Sequence, residues 1–153
     1  MNRITIDQYF MEIATVVAKR GTCPKAQVGA VLVKNKSIIS TGYNGSPRGV
    51  AHCYQEGCNE VAGHCQRAVH AEMNAMLQAA MHGNSTIDAT LYCTHFPCNH
   101  CLKGIINAGI SKIVYEKPYK NGENFITHNL ELVQVEVSKP ETIVEIKDIQ
   151  TKV

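Results

Sequence analysis

At 153 residues, with 44% hydrophobic and 18% charged residues, the chain has room for one domain with a real core and not for two comfortable ones. A net charge of +2 is too slight a bias to make duplex nucleic acid the default partner. No apolar run approaches the roughly 18 residues of a membrane span, and the opening MNRITIDQYF has no signal-peptide apolar segment, so a cytoplasmic protein is expected.

Thr5 and Gln8 are spaced as a capping box, and Tyr9, Phe10, Ile13, Val16 and Val17 follow at helical spacing. A first helix over Thr5–Lys19 with one buried face is predicted. Gly21-Thr22-Cys23-Pro24 ends it. The apolar run Val28–Val33 predicts a buried strand, Asn35-Lys36 a turn, and Ser37–Tyr43 a second strand paired antiparallel to the first. From Asn44 to His64 there is no periodicity. About 20 structureless residues inside a compact domain call for a function or a staple, and Cys53 and Cys58 suggest a staple.

Arg67–Met81 reads as a second helix, with Met73, Met76, Leu77 and Ala80 on its inner face. Thr90–His95 is a strand with Cys93 as a small core residue. Cys98–Ala108 is a third helix ended by Gly109. Lys112–Glu116 and the alternating Leu130–Val137 complete the strands, with a weakly helical Lys120–Asn129 between them. The expected architecture is α/β, a mixed five-stranded sheet with helices on both faces. A single domain covers 1–137, and 138–153 form a charged tail or edge strand.

Seven cysteines in such a chain point to metal or catalysis before disulfides. Two short stretches carry the chemistry: His70-Ala71-Glu72 and Pro97-Cys98-Asn99-His100-Cys101. Cys98 and Cys101 are three residues apart in the first turn of a helix, so they face the same way, and the helix N-terminus favours thiolate. With His70 they form a one-nitrogen, two-sulfur set that suits zinc and leaves the fourth position open, as catalytic zinc sites do. Glu72 then stands beside the set without being a ligand, as a proton carrier would. C-x-x-C alone would equally suit a redox pair or half a zinc finger; the upstream H-x-E argues against both.

These residues resemble the cytidine and deoxycytidylate deaminase superfamily. The likeness to the deoxycytidylate branch, including the late-competence ComE operon protein 2 type, is carried by Gly42-Tyr-Asn-Gly-Ser-Pro-Arg-Gly49, Val69-His-Ala-Glu-Met-Asn-Ala75 and Thr94-His-Phe-Pro-Cys-Asn-His-Cys101, and extends to Tyr119-Lys120. The resemblance implies a three-layer α/β/α deaminase fold. It also implies hydrolytic deamination of dCMP to dUMP and ammonia: zinc-bound hydroxide attacks C4 of the base while Glu72 shuttles protons. The backbone at Ala71 would orient the base and Asn44 would bind base or deoxyribose. Lys25, His64, Tyr119 and Lys120 would reach the phosphate.

The resemblance further implies a second, structural zinc on Cys23, Cys53, Cys58 and Cys65, with His64 able to replace one thiol. It implies a homo-oligomer, often a hexamer, and regulation by dCTP and dTTP with Mg²⁺, for which Arg48 is a candidate contact. Deamination of cytidine or of a tRNA adenosine is a runner-up, and a zinc-stabilised nucleic-acid or interaction module used in DNA uptake is an alternative of another class. Partners other than small nucleotides, whether nucleic acid or membrane, are not expected.

Overall fold

The computed structural model describes residues 3–118 and 129–137. Tyr119, Lys120, all but the last residue of the expected weak helix, and the tail from Ser138 lie outside the described residues. Helix α1 spans Ile6–Ala18, and its capping box is formed as expected: the Thr5 hydroxyl accepts from the Gln8 N–H at 3.1 Å and the Gln8 side chain accepts from the Thr5 N–H at 2.9 Å. Strands β1 (Gly29–Lys34) and β2 (Ser37–Tyr43) form the antiparallel hairpin. Its turn residues Asn35 and Lys36 both have positive φ, 50° and 60°, which matches the right-handed twist of the strands.

The stretch after β2 is not wholly irregular. It contains a one-turn helix α2 (Cys53–Glu56) and a small antiparallel ribbon of β3 (Glu60–Val61) and β4 (His64–Cys65). Both elements are too short to register as periodicity. Helix α3 (Ala71–Met81), β5 (Thr90–His95), α4 (Asn99–Asn107), β6 (Lys112–Lys117) and β7 (Glu131–Gln134) follow. Gly109 ends α4 with φ of 73°, the left-handed C′ conformation expected of it.

The main sheet has the order β2-β1-β5-β6-β7, antiparallel from β2 to β5 and parallel from β5 to β7. Side chains alternate along β1 into two separate cores. Val31 and Val33 join Phe10, Met11, Ala14, Tyr92 and Val114 under α1. Ala30 and Leu32 join Leu91, Cys93, Ile113, Ala71, Ala75, Leu102 and Ile105 under α3 and α4. A strand buried on both faces must read as a continuous apolar run, as Val28–Val33 does. The three-layer arrangement is the one expected.

Helix α3 corrects two expectations. It begins at Ala71 rather than Arg67, because Val69 is held extended by reciprocal backbone hydrogen bonds with Gly45 at 3.1 and 2.8 Å. Its inner face is Ala71, Ala75 and Ala79, all fully buried, whereas Leu77 is 50% exposed. The small face is imposed by β2. A Cβ at Gly42 would collide with the Ala71 carbonyl and the Ala75 amide, so the helix backbone lies directly on the strand. The Ser40 hydroxyl donates to the Ala75 carbonyl at 2.7 Å, and the Asn74 amide donates to the Tyr43 carbonyl at 2.8 Å.

On the opposite layer, the Tyr92 hydroxyl donates to Asp7 at 2.7 Å, and Lys112 reaches the other Asp7 oxygen at 3.4 Å. Burial and the Asp7 carboxylate both raise the Tyr92 pKa, so the phenol stays protonated and donating. Tyr92→Phe is expected to cost about 1.5 kcal/mol, because the carboxylate loses a hydrogen bond in a partly buried place. Thermal unfolding should show a midpoint about 3–6 °C lower, and an unchanged midpoint would mean that water replaces the phenol.

Candidate metal centre and active site

The local backbone brings His70 to the start of α3 and Cys98 to the start of α4. Both are N-cap residues with extended backbone, and neither side chain caps its own helix. The chain arrives at Cys98 from the C-terminal end of β5, where α/β proteins place their ligands. The His70 Nδ1 lies 3.4 Å from the Cys98 Sγ and 3.5 Å from the Cys101 Sγ. Tetrahedral zinc with ordinary Zn–N and Zn–S bonds sets such atoms about 3.6 Å apart, so the three donors fit that ion. The donor set also identifies Nδ1, not Nε2, as the nitrogen facing the sulfurs.

The electrostatics agree with a cation site. A hydrogen bond from Cys101, helped by His70 and the Cys101 backbone N–H, holds the Cys98 thiol down at about 3 against the effect of burial. The same pairing, with burial, raises Cys101. A cation bound by both thiolates must displace the proton that this pairing favours keeping. The Cys98 sulfur also raises His70 against burial.

Glu72 sits one turn-start residue further along α3 and is only 4% exposed. Burial pushes its carboxyl up to about 7, while its own backbone N–H and His70 act to lower it. A buried carboxyl near neutral pKa, with no ion-pair partner among the described residues and beside three potential metal donors, is suited to accept and return protons.

These groups open onto a cavity of about 240 Å³. Of the expected contacts, Ala71, Glu72, His70, Cys98, Asn44, Lys25 and His64 all line it. Asn44 is held tightly there: its Oδ1 accepts from the Val28 N–H at 2.8 Å and its Nδ2 donates to the Ala26 carbonyl at 2.6 Å. Lys25 is exposed and ion-paired with Glu60. Arg48 is placed elsewhere. It borders a separate, open cavity of about 1070 Å³ along β2 and α3, with His52, Tyr54 and His82, and its guanidinium contacts the Met81 sulfur at 3.8 Å.

His95 and Phe96 also line this cavity and were not singled out from sequence. The available signal was position, since both sit between the end of a strand and Pro97-Cys98. Burial and Lys117 lower the His95 pKa, so its ring is neutral near pH 7.

Cys23, Cys53, Cys58 and Cys65 form a second cluster, with all four sulfurs within 4.8 Å of one another and none in a disulfide. The Cys23–Cys58 and Cys53–Cys65 sulfurs are each 3.6 Å apart. Tetrahedral zinc on four thiolates spaces sulfurs by about 3.8 Å, so this set also fits the ion, and it leaves no open position. Burial opposes ionisation of Cys65, but the backbone N–H groups of Ala68 and Arg67 draw its thiol down to about 7.

Residues 4–117 match the family model described as the cytidine and deoxycytidylate deaminase zinc-binding region. The chain is 44% identical over 152 residues to the ComE operon protein 2 of Bacillus subtilis, covering 97% of this chain and 79% of that one. It is 40% identical over 125 residues to the deoxycytidylate deaminase of Saccharomyces cerevisiae, covering 76% of this chain but only 39% of the yeast protein. The crystal structure of dCMP deaminase from the cyanophage S-TIM5 in complex with dCMP and dUMP matches with a TM-score of 0.77 and 31% identity, over 88% of this chain and 100% of that one. The fold, the buried glutamate beside a His–Cys–Cys set and these matches agree: the chain belongs to the cytidine and deoxycytidylate deaminase family.

Proposed function

We propose that the protein deaminates dCMP to dUMP and ammonia by hydrolysis. The carrying observation is Glu72, buried in a small cavity with His70 and Cys98 and beside the His70–Cys98–Cys101 set. The relatives named deoxycytidylate deaminase and the similar enzyme solved with dCMP and dUMP support the choice of substrate. A zinc ion on the three donors supplies the Lewis acidity that makes water a nucleophile at neutral pH. Glu72 takes one proton from the attacking water and passes it to ring N3. It then takes the proton of the new C4 hydroxyl and passes it to the amine, so that the C4–N bond breaks, ammonia leaves and the C4 carbonyl forms. The raised carboxyl pKa suits both halves of that transfer. The backbone at Ala71 orients the edge of the base. Asn44, already fixed through Val28 and Ala26, offers its remaining amide hydrogen and lone pair to the base or sugar.

Lys25 and His64 are, among the described residues, hydrogen-bond donors at the cavity rim that can receive the phosphate. Lys25 does so by exchanging Glu60 for the substrate. Tyr119 and Lys120 belong to the same proposal from sequence. The second cluster holds a structural zinc on its four thiolates. Arg48 and its open cavity serve a triphosphate regulator, dCTP or dTTP with Mg²⁺, in a homo-oligomer.

Steady-state kinetics on dCMP and deoxycytidine test the substrate. The phosphate contacts should favour dCMP by at least about 100-fold in kcat/KM, as charge-assisted hydrogen bonds to a dianion allow. His64→Ala should raise KM for dCMP and leave deoxycytidine turnover unchanged. Equal turnover of the two substrates would refute the phosphate assignment. Hyperbolic curves indifferent to both triphosphates would refute the regulation.

A further inference from the structure

The four-cysteine cluster stands at a wall of the catalytic cavity rather than apart from it. Cys23 and Cys65 line that cavity, together with Gly63, His64 and Lys25. The cluster draws together three segments, the turn after α1, the one-turn helix α2 and the β3–β4 ribbon. Besides it, α2 is held to the residues just past the ribbon by Arg67, which bonds to Glu56 and to the Ala51 carbonyl. Beyond it, the ribbon is tied to the α1 turn by the exposed Lys25–Glu60 ion pair, and exposed pairs contribute little. The four sulfurs fall into two contacts at 3.6 Å, Cys23 with Cys58 and Cys53 with Cys65. Each contact joins one buried cysteine to one half-buried cysteine, so each has a sulfur an oxidant can reach.

We propose that this cluster is an oxidation-sensitive clamp on the substrate pocket. It rests on the structural-zinc reading above. In the reduced form the four thiolates hold the metal and the ribbon, and so place His64 at the rim. A peroxide converts the cluster to two disulfides, Cys23–Cys58 and Cys53–Cys65, and the metal leaves. In each half, the more exposed sulfur (Cys58 or Cys65) attacks a peroxide oxygen. The O–O bond breaks, water departs, and a sulfenic acid forms. The partner thiolate (Cys23 or Cys53) then attacks that sulfur, the S–S bond forms, and the hydroxyl leaves as a second water. Each disulfide uses one peroxide and gives up two electrons, with two protons taken from solvent. Each sulfur must move about 0.8 Å for the pair to close from 3.6 Å to bonding distance. The movement is carried by the ribbon and the α1 turn, and the rim contacts shift with them.

The test uses the full chain, purified reduced and zinc-loaded, then treated with hydrogen peroxide. Metal analysis before treatment should give two zinc ions per chain. Treatment should release one of them to a chromogenic chelator, and mass spectrometry should find the 23–58 and 53–65 linkages. KM for dCMP should rise about tenfold with kcat changed less than about threefold, since the catalytic set is intact. Dithiothreitol with zinc should restore both. In Cys58→Ser only the 53–65 linkage should form. A single zinc before treatment, held by the catalytic set, defeats the structural-zinc reading itself. Two zinc ions with no linkage at these positions, with linkage only at 98–101, or with KM unchanged after release, leave that reading standing and overturn the clamp.

Discussion

Glu72→Gln is expected to reduce kcat for dCMP by about 10³-fold while the protein keeps its full zinc content. The substitution keeps the size and hydrogen-bonding shape of the side chain but cannot accept a proton. Positioned acid–base groups contribute about 10²–10⁴-fold, and in the proposed mechanism one carboxyl serves every transfer. Because Glu72 is not among the three donors, the metal set of His70, Cys98 and Cys101 should be untouched. Metal analysis beside ammonia release separates the two effects. Turnover near that of the unaltered protein would remove Glu72 from the reaction, and lost zinc would make it part of the metal site instead.

Gly42→Ala should be, with Gly29→Ala, among the most damaging one-carbon changes outside the site, since at both positions a Cβ would meet helix backbone. The new methyl would collide with backbone atoms of Ala71 and Ala75, which no rotamer change can relieve. Helix α3 must move off β2, breaking the Ser40 and Asn74 hydrogen bonds and opening the alanine face. A loss of about 3 kcal/mol or more is expected, at the upper end for overpacking. The unfolding midpoint should drop by roughly 6–12 °C. Activity should fall with it, since α3 carries Glu72 and begins at His70. Thr41→Ala, an exposed neighbour on the same strand, is the control and should change the midpoint by no more than about 2 °C. A Gly42→Ala protein as stable as the control would mean that the helix–strand spacing is adjustable.

The site was legible in sequence because its donors lie where local rules apply. Cys98 and Cys101 share a face through helical spacing alone, and His70 with Glu72 needs only one helix start. The direction of the imidazole, with Nδ1 toward the sulfurs, has no such local signal. The inner face of α3 was misread for a physical reason. Met76 does pack against the core, but Leu77 does not: the close approach allowed by Gly42 selects alanine for the face on β2, and the deciding residue lies some 30 positions away in the chain. The ribbon and short helix between β2 and α3 escaped for a different one: two and four residues hold no period. The four cysteines could be suspected as a group, yet their pairing into 23–58 and 53–65 depends on loop paths that no spacing encodes.

The N-cap positions of α3 and α4 have one more consequence. A serine or aspartate at either place would satisfy a free N–H of the first turn and stabilise its helix by about 1 kcal/mol. His70 and Cys98 give up that contact and aim their side chains at the same point. A zinc ion on His70, Cys98 and Cys101, as proposed above, would join the two helix starts. Ordering the helix ends and assembling the reaction centre would then be a single equilibrium, and metal affinity would carry within it part of the free energy of folding.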